Sequence, residues 1–235
     1  RSLMEVELAS WQLGHWQDAI GLLGRAAELY RRSGNPALEA RARHSLAFDE
    51  VASGRVAAGE ASAREALRLS RAARARREEV NAAGVLALAL RDQGRLIEAE
   101  RHAQATAALA DELAVPVLHL LALRRLALVQ LDRYALSEAA ATLEHAASLN
   151  ESLARKPRSG ELAALRCRLA WLAGDPEAAA RHARTALASR DLAEAVVWVE
   201  RWPALLALAP SDPPLAQAAG PCRALLAKSP RQRLE

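Results

Sequence analysis

The chain has 235 residues, a formal net charge of +4, and a composition that is 51% hydrophobic but only 3% aromatic. Its two cysteines, Cys167 and Cys222, lie far apart, which excludes a disulfide scaffold or a cysteine zinc site and suits a reducing cytoplasm. No uncharged run reaches the roughly 20 residues needed to cross a bilayer, and no signal-peptide pattern opens the chain. Leu and Ala must build the core, both are strong helix formers, and β-branched or aromatic runs are scarce, so an all-α chain is expected. Arginine supplies nearly all the positive charge, since the only lysines are Lys156 and Lys228. The charge is spread rather than clustered, so direct nucleic-acid binding is not expected.

In chain order, the first unit has Gly14 as its turn, with Ala19 behind it and Ala26 and Leu29 on a second helix. Asn35-Pro36 reads as a cap and helix start. The second unit has Leu46 and Phe48 before Gly54, then Val56, Gly59, Ala66 and Leu69. The third, Asn81 to Leu109, is the most regular, with Leu86, Leu88 and Leu90 before Gly94, then Leu96 and Ala99. In the fourth, Tyr134 stands in the glycine place, followed by Leu136, Ala139, Ala146 and Leu149. Lys156-Pro157-Arg158-Ser159-Gly160 reads as a loop. The fifth has Trp171 before Gly174-Asp175-Pro176, with Asp175 as the expected cap. A looser sixth unit contains Trp202-Pro203 and Ser211-Asp212-Pro213-Pro214.

The turns fall at positions 14, 54, 94, 134 and 174, a step of forty. Five residues after each stands Ala19, Gly59, Ala99, Ala139 or Ala179, small residues of the kind needed where two helices approach closely. Recurrence at one step marks a helical repeat array, in which each pair buries its apolar face against the next. Residues 1–190 are read as five helix-turn-helix repeats and 191–235 as an irregular capping pair. The chain opens at Arg1 inside a helical pattern and is expected to be a piece of a longer protein, with Leu234-Glu235 as a cloning remnant.

The runs Gly94-Arg95-Leu96-Ile97-Glu98-Ala99 and Leu13-Gly14-His15-Trp16-Gln17-Asp18-Ala19-Ile20 resemble the turn of a tetratricopeptide repeat. The Leu-small pairs Leu46-Ala47, Leu86-Ala87 and Leu126-Ala127 match that family's first helix, and Ala26, Ala66, Thr106, Ala146 and Ala186 match its second. The resemblance implies a right-handed superhelical solenoid of about six antiparallel helix pairs. The family's period is about 34 residues. Here it is forty, and the additional six are assigned to the stretch between the second helix and the next first helix. HEAT-type pairs share the longer period and stand as a structural alternative. The long variant resembles the helical sensor segments of large bacterial transcription activators, the ATP-binding LuxR-type kind and the antibiotic-regulatory kind. Heavy Ala and Arg use fits a GC-rich bacterial genome.

The family resemblance puts the first helix of each pair on a partner-binding groove. Carried over by position, one row is Trp11, Val51, Arg91, Leu131 and Trp171, and a second includes Phe48, Leu88 and Arg168. Arg41, His44, Asn81 and Arg124 lie in neighbouring groove places. Trp11, Phe48, Leu131 and Trp171 read as anchors for an amphipathic helix or extended peptide. The arginines read as contacts for an acidic or phosphorylated one. The contrary reading is that these side chains complete packing between helices. His102 and His182 are echoed repeat positions rather than metal ligands, and Cys167 is read as a buried inert thiol. No phosphate loop, HExxH pair or nucleophile elbow is present.

These observations lead to a non-enzymatic protein- or peptide-binding scaffold without cofactor or metal, cytoplasmic, without membrane contact. The alternative is a ligand-sensing or oligomerisation segment of a bacterial signal-transducing transcription regulator. Self-association and a small-molecule effector belong to that alternative.

Overall fold

The computed structural model describes residues 16–154 and 159–188, which form nine α-helices among the described residues. They are α1 (Trp16–Arg32), α2 (Pro36–Ala52), α3 (Val56–Ala72), α4 (Arg76–Asp92), α5 (Leu96–Glu112), α6 (Pro116–Asp132), α7 (Leu136–Ser152), α8 (Ser159–Leu172) and α9 (Pro176–Ala188). No strand occurs among the described residues. The first and sixth turns expected from the sequence, near Gly14 and Ser211, lie outside the described residues, as does Trp202.

Helices α1 to α7 are each 17 residues long. Three-residue turns separate them. Each turn contains one residue of positive φ: Gly34, Gly54, Arg74, Gly94, Ala114 and Tyr134, with Gly174 between α8 and α9. Gly94 shows how such a turn closes. Its N–H donates to the Arg91 carbonyl and that of Arg95 to the Leu90 carbonyl, both at 2.9 Å. This is the Schellman arrangement, which satisfies the last carbonyls of the helix. The backbone therefore repeats every twenty residues, twice per forty-residue sequence unit.

The additional length relative to the 34-residue family is thus in the helices, not in a wider connection between repeats. The sequence conceals this because Arg74 and Ala114 enter the left-handed region without glycine. A second correction concerns Ser159 and Gly160, which open α8 instead of closing a loop. The expected caps are in place. Asn35 Oδ1 accepts from the Leu38 N–H at 3.1 Å, and Asp175 Oδ1 from that of Ala178 at 2.8 Å.

The chain divides into two compact units, with the boundary between Arg125 and Leu126, inside α6. In the first unit each helix from α1 to α5 packs on its chain neighbour, and α2 also packs on α4. Helix α4 is buried around nearly its whole circumference, from Ala82 through Arg91. Helices α3 and α5 bury one stripe each, built on Ala63, Ala66 and Leu67 and on Ala99, Ala103 and Ala107. Alternate helices therefore form an inner layer, and the ones between them an outer layer. At the crossing of α2 and α3, a Cβ on Gly59 would meet Val51 Cγ2 at 2.5 Å, so the smallest residue stands where the helices come closest. Glu60 ties α3 to the α4–α5 turn through Gln93 (2.6 Å) and Arg95 (3.0 Å).

In the second unit α7 packs on α8 and α8 on α9. Helix α8 is again the buried one, along Gly160 to Leu165. Asn150, at the end of α7, donates from Nδ2 to Ser159 Oγ at 3.0 Å.

Candidate functional site

The inner-layer helices carry the residues singled out in the sequence, and burial sorts them. Val51, Leu88 and Leu131 are core side chains, the latter two 2% and 0% exposed, so they offer no surface to a partner. Leu131, expected as an anchor, and Val51 and Leu88, expected in the groove rows, are buried in the packing between helices. Phe48 is half-buried on α2. Trp11 lies outside the described residues.

The charged members separate likewise. Arg91 is buried, with its guanidinium 3.0 Å from the Asp92 carboxylate. In the second unit Arg168 pairs with Asp132, and Trp171, three residues further along α8, is 41% exposed. In the first unit Arg41 is exposed, His44 and Asn81 are half-buried, and Arg124 is buried.

One part of the first unit gathers several of these groups. Arg41 and His44 stand one turn apart on α2, and so share a face. Asn81 occupies the equivalent of position 41 on α4, and Gly84 the equivalent of 44. The Arg125 guanidinium, from α6, lies against Gly84 where any side chain would collide with it. Its Nη1 donates to the Asn81 carbonyl at 3.5 Å. Asn81 Nδ2 in turn donates to the Glu78 carboxylate at 3.3 Å. The Nδ1 of His44 is buried without a hydrogen bond of good geometry. Burial first, then the charges of Arg125 and Arg41, push the His44 imidazole down to about 4, so it is neutral at physiological pH.

Reading the sequence alone does not single out Arg125 and Gly84. A signal for the glycine exists: amid Ala, Val and Leu it costs a helix interior about 1 kcal/mol and marks a close approach. His102 and His182 are lowered by burial ahead of their neighbouring arginines. Among the described residues no three His, Cys, Asp or Glu side chains gather as a metal ion requires. Burial pushes the Cys167 thiol up to about 11, which keeps it protonated and unreactive. No helix among the described residues is long and apolar enough to cross a membrane.

The architecture is that of an all-α, tetratricopeptide-like helical repeat. No protein-family model matches the chain, and no curated protein matches it in sequence. Among solved structures it is similar to Rap protein, crystallised in complex with Competence and Sporulation Factor. The two share 16% identity with a TM-score of 0.70, over 95% of this chain and 64% of that one. It is also similar to BtubC from P. vanneervenii, with 17% identity and a TM-score of 0.63, over 93% of this chain and 89% of that one. The chain thus spans 64% of the length of Rap protein, and at these identities the likeness is one of fold.

Proposed function

We propose that the protein is a non-enzymatic scaffold that binds a protein or peptide segment on its inner-layer helices, chiefly through the first unit. The observation that carries this reading is polar. A helix layer that served packing alone would be apolar, yet α2, α4 and the first half of α6 place Arg41, His44, Asn81 and Arg125 in one neighbourhood. Arg41 is exposed among them, where a bound segment can reach it. The likeness to a Rap protein solved in complex with Competence and Sporulation Factor supports the same reading through the fold. The proposal extends to a segment of a larger bacterial regulator, as the resemblance in sequence implies. The flanking gene sequence tests that extension by showing or lacking an ATPase or DNA-binding domain.

The binding claim is tested by spin-labelling single cysteines at Arg41 and at Glu65, on the inner and outer helices, in a Cys167→Ala, Cys222→Ala background. With peptides selected from a random library added, the Arg41 label should become immobilised and the Glu65 label should not. Immobilisation confined to Glu65 places binding on the outer helices and removes the proposal.

A further inference from the structure

We infer that four side chains of alternating charge, Glu60, Arg64, Glu98 and Arg95, form a salt-sensitive clasp that fixes the angle between α3 and α5 and stiffens this one step of the array. The clasp belongs to the outer layer and does not depend on what the inner layer binds.

Helices α2 and α4 pack on each other in the inner layer, and no comparable packing joins α3 to α5 in the outer layer. What crosses between α3 and α5 is a ring of charge. Arg64 Nη2 lies 2.6 Å from the Glu60 carboxylate on the same helix. Glu60 lies 3.0 Å from Arg95, the residue that precedes α5. Arg95 lies 2.6 Å from Glu98, in the first turn of α5. Glu98 lies 3.7 Å from Arg64, which closes the ring. Each charge therefore meets two of opposite sign, and two of the four links run from α3 to the start of α5. Gln93, in the α4–α5 turn, adds another link by donating to Glu60 Oε2 at 2.6 Å. Glu60 is the hub, with a side chain 16% exposed. Burial raises its titration, but hydrogen bonds from Gln93, Arg64 and Arg95 outweigh that and hold the carboxyl below its usual range, so it is charged. An isolated surface pair contributes little, whereas here each long side chain is held by two partners.

The ring belongs to one step. Forty residues earlier, across α1 and α3, the equivalent positions are Ile20, Gly24, Ala58 and Arg55. A single charge remains there, and Arg55 turns instead toward Glu50, at 3.8 Å. Forty residues later the equivalents are Glu100, Gln104, Glu138 and Ala135, which include no cation. Each repeat of an array contacts only its neighbours, so a bridge across one outer gap fixes the rotation of that step without holding the others.

Spin labels at equivalent places report the two steps separately. Glu65→Cys with Ala105→Cys spans the clasped step, and Arg25→Cys with Glu65→Cys spans the preceding one, in a Cys167→Ala, Cys222→Ala background. None of the labelled positions belongs to the ring. Distances between labels are measured by pulsed electron resonance with the ring intact, with Glu60→Gln and with Arg95→Gln, and circular dichroism confirms helix content. Both ring substitutions should broaden the Glu65–Ala105 distance distribution and leave the Arg25–Glu65 distribution as it was. Salt at about 1 M, which screens charges beyond about 3 Å, should broaden the same distribution with the ring intact and change the two variants less. The salt measurement needs no substitution in the ring, so it decides the matter even where a ring variant fails to fold. A Glu65–Ala105 distribution unmoved by salt or by the folded variants overturns the clasp, as does equal broadening at both steps.

Discussion

At the scale of single residues, His44 couples the inner layer to pH. Its imidazole titrates at about 4 in the folded chain, against 6.5 for the ordinary group. Above pH 6.5 both folded and unfolded chains are neutral there, and stability is complete. As pH falls from 6.5 toward 4 the unfolded chain takes the proton first, so stability declines. The loss reaches about 3 kcal/mol, because each pH interval of one between the two titrations is worth about 1.4 kcal/mol. Urea denaturation across that interval should show His44→Gln losing less stability than wild type. Parallel declines in the two proteins would clear His44 of the effect. The position is legible in the sequence as a groove residue, but its protonation is not. That depends first on burial among the neighbouring helices and then on Arg125, which lies 81 positions away along the chain and packs against Gly84.

At the scale of the element, the helices are cut to length by their turns. Gly94 supplies a left-handed residue without strain, whereas Tyr134 adopts φ 59° with a Cβ and a ring that is 71% exposed. The left-handed conformation costs an L-residue about 1–2 kcal/mol, and glycine returns about 0.5–1 kcal/mol of that through the freedom of its unfolded state. Tyr134→Gly should therefore stabilise the chain by about 0.5 to 1 kcal/mol, and Gly94→Ala should destabilise it by a similar amount. Denaturation midpoints for the pair decide the matter, and opposite signs are required. The turns at Gly54, Gly94 and Gly174 are visible in the sequence as glycines, and Tyr134 by its register. Those at Arg74 and Ala114 are not, because a Schellman turn demands a backbone conformation rather than a residue type. This is why the six additional residues read as a connection in the sequence and belong to the helices in the fold.

At the scale of the whole molecule, each unit is an inner layer buried on most sides and an outer layer buried on one stripe. Leu86, on α4, has no exposed surface, and Ile97, on α5, is 78% exposed. Leu86→Ala should cost about 2–5 kcal/mol, and Ile97→Ala should stay within about 0.5 kcal/mol. Thermal denaturation of both variants checks the layering, and comparable losses would contradict it.

The sequence by itself determined the class of the protein. A forty-residue step of turns and small residues is satisfied by stacked helical pairs, because each pair has an apolar face that it cannot bury alone and that the next pair covers. It also determined the caps at Asn35 and Asp175, whose chemistry is local. Which side chains of the inner helices are buried and which are exposed was decided by tertiary structure alone. Leu88 and Arg41 lie on successive inner helices of the same unit and both read as groove residues by position. Burial depends on what the neighbouring helices bring to each point, and it makes Leu88 core and leaves Arg41 exposed.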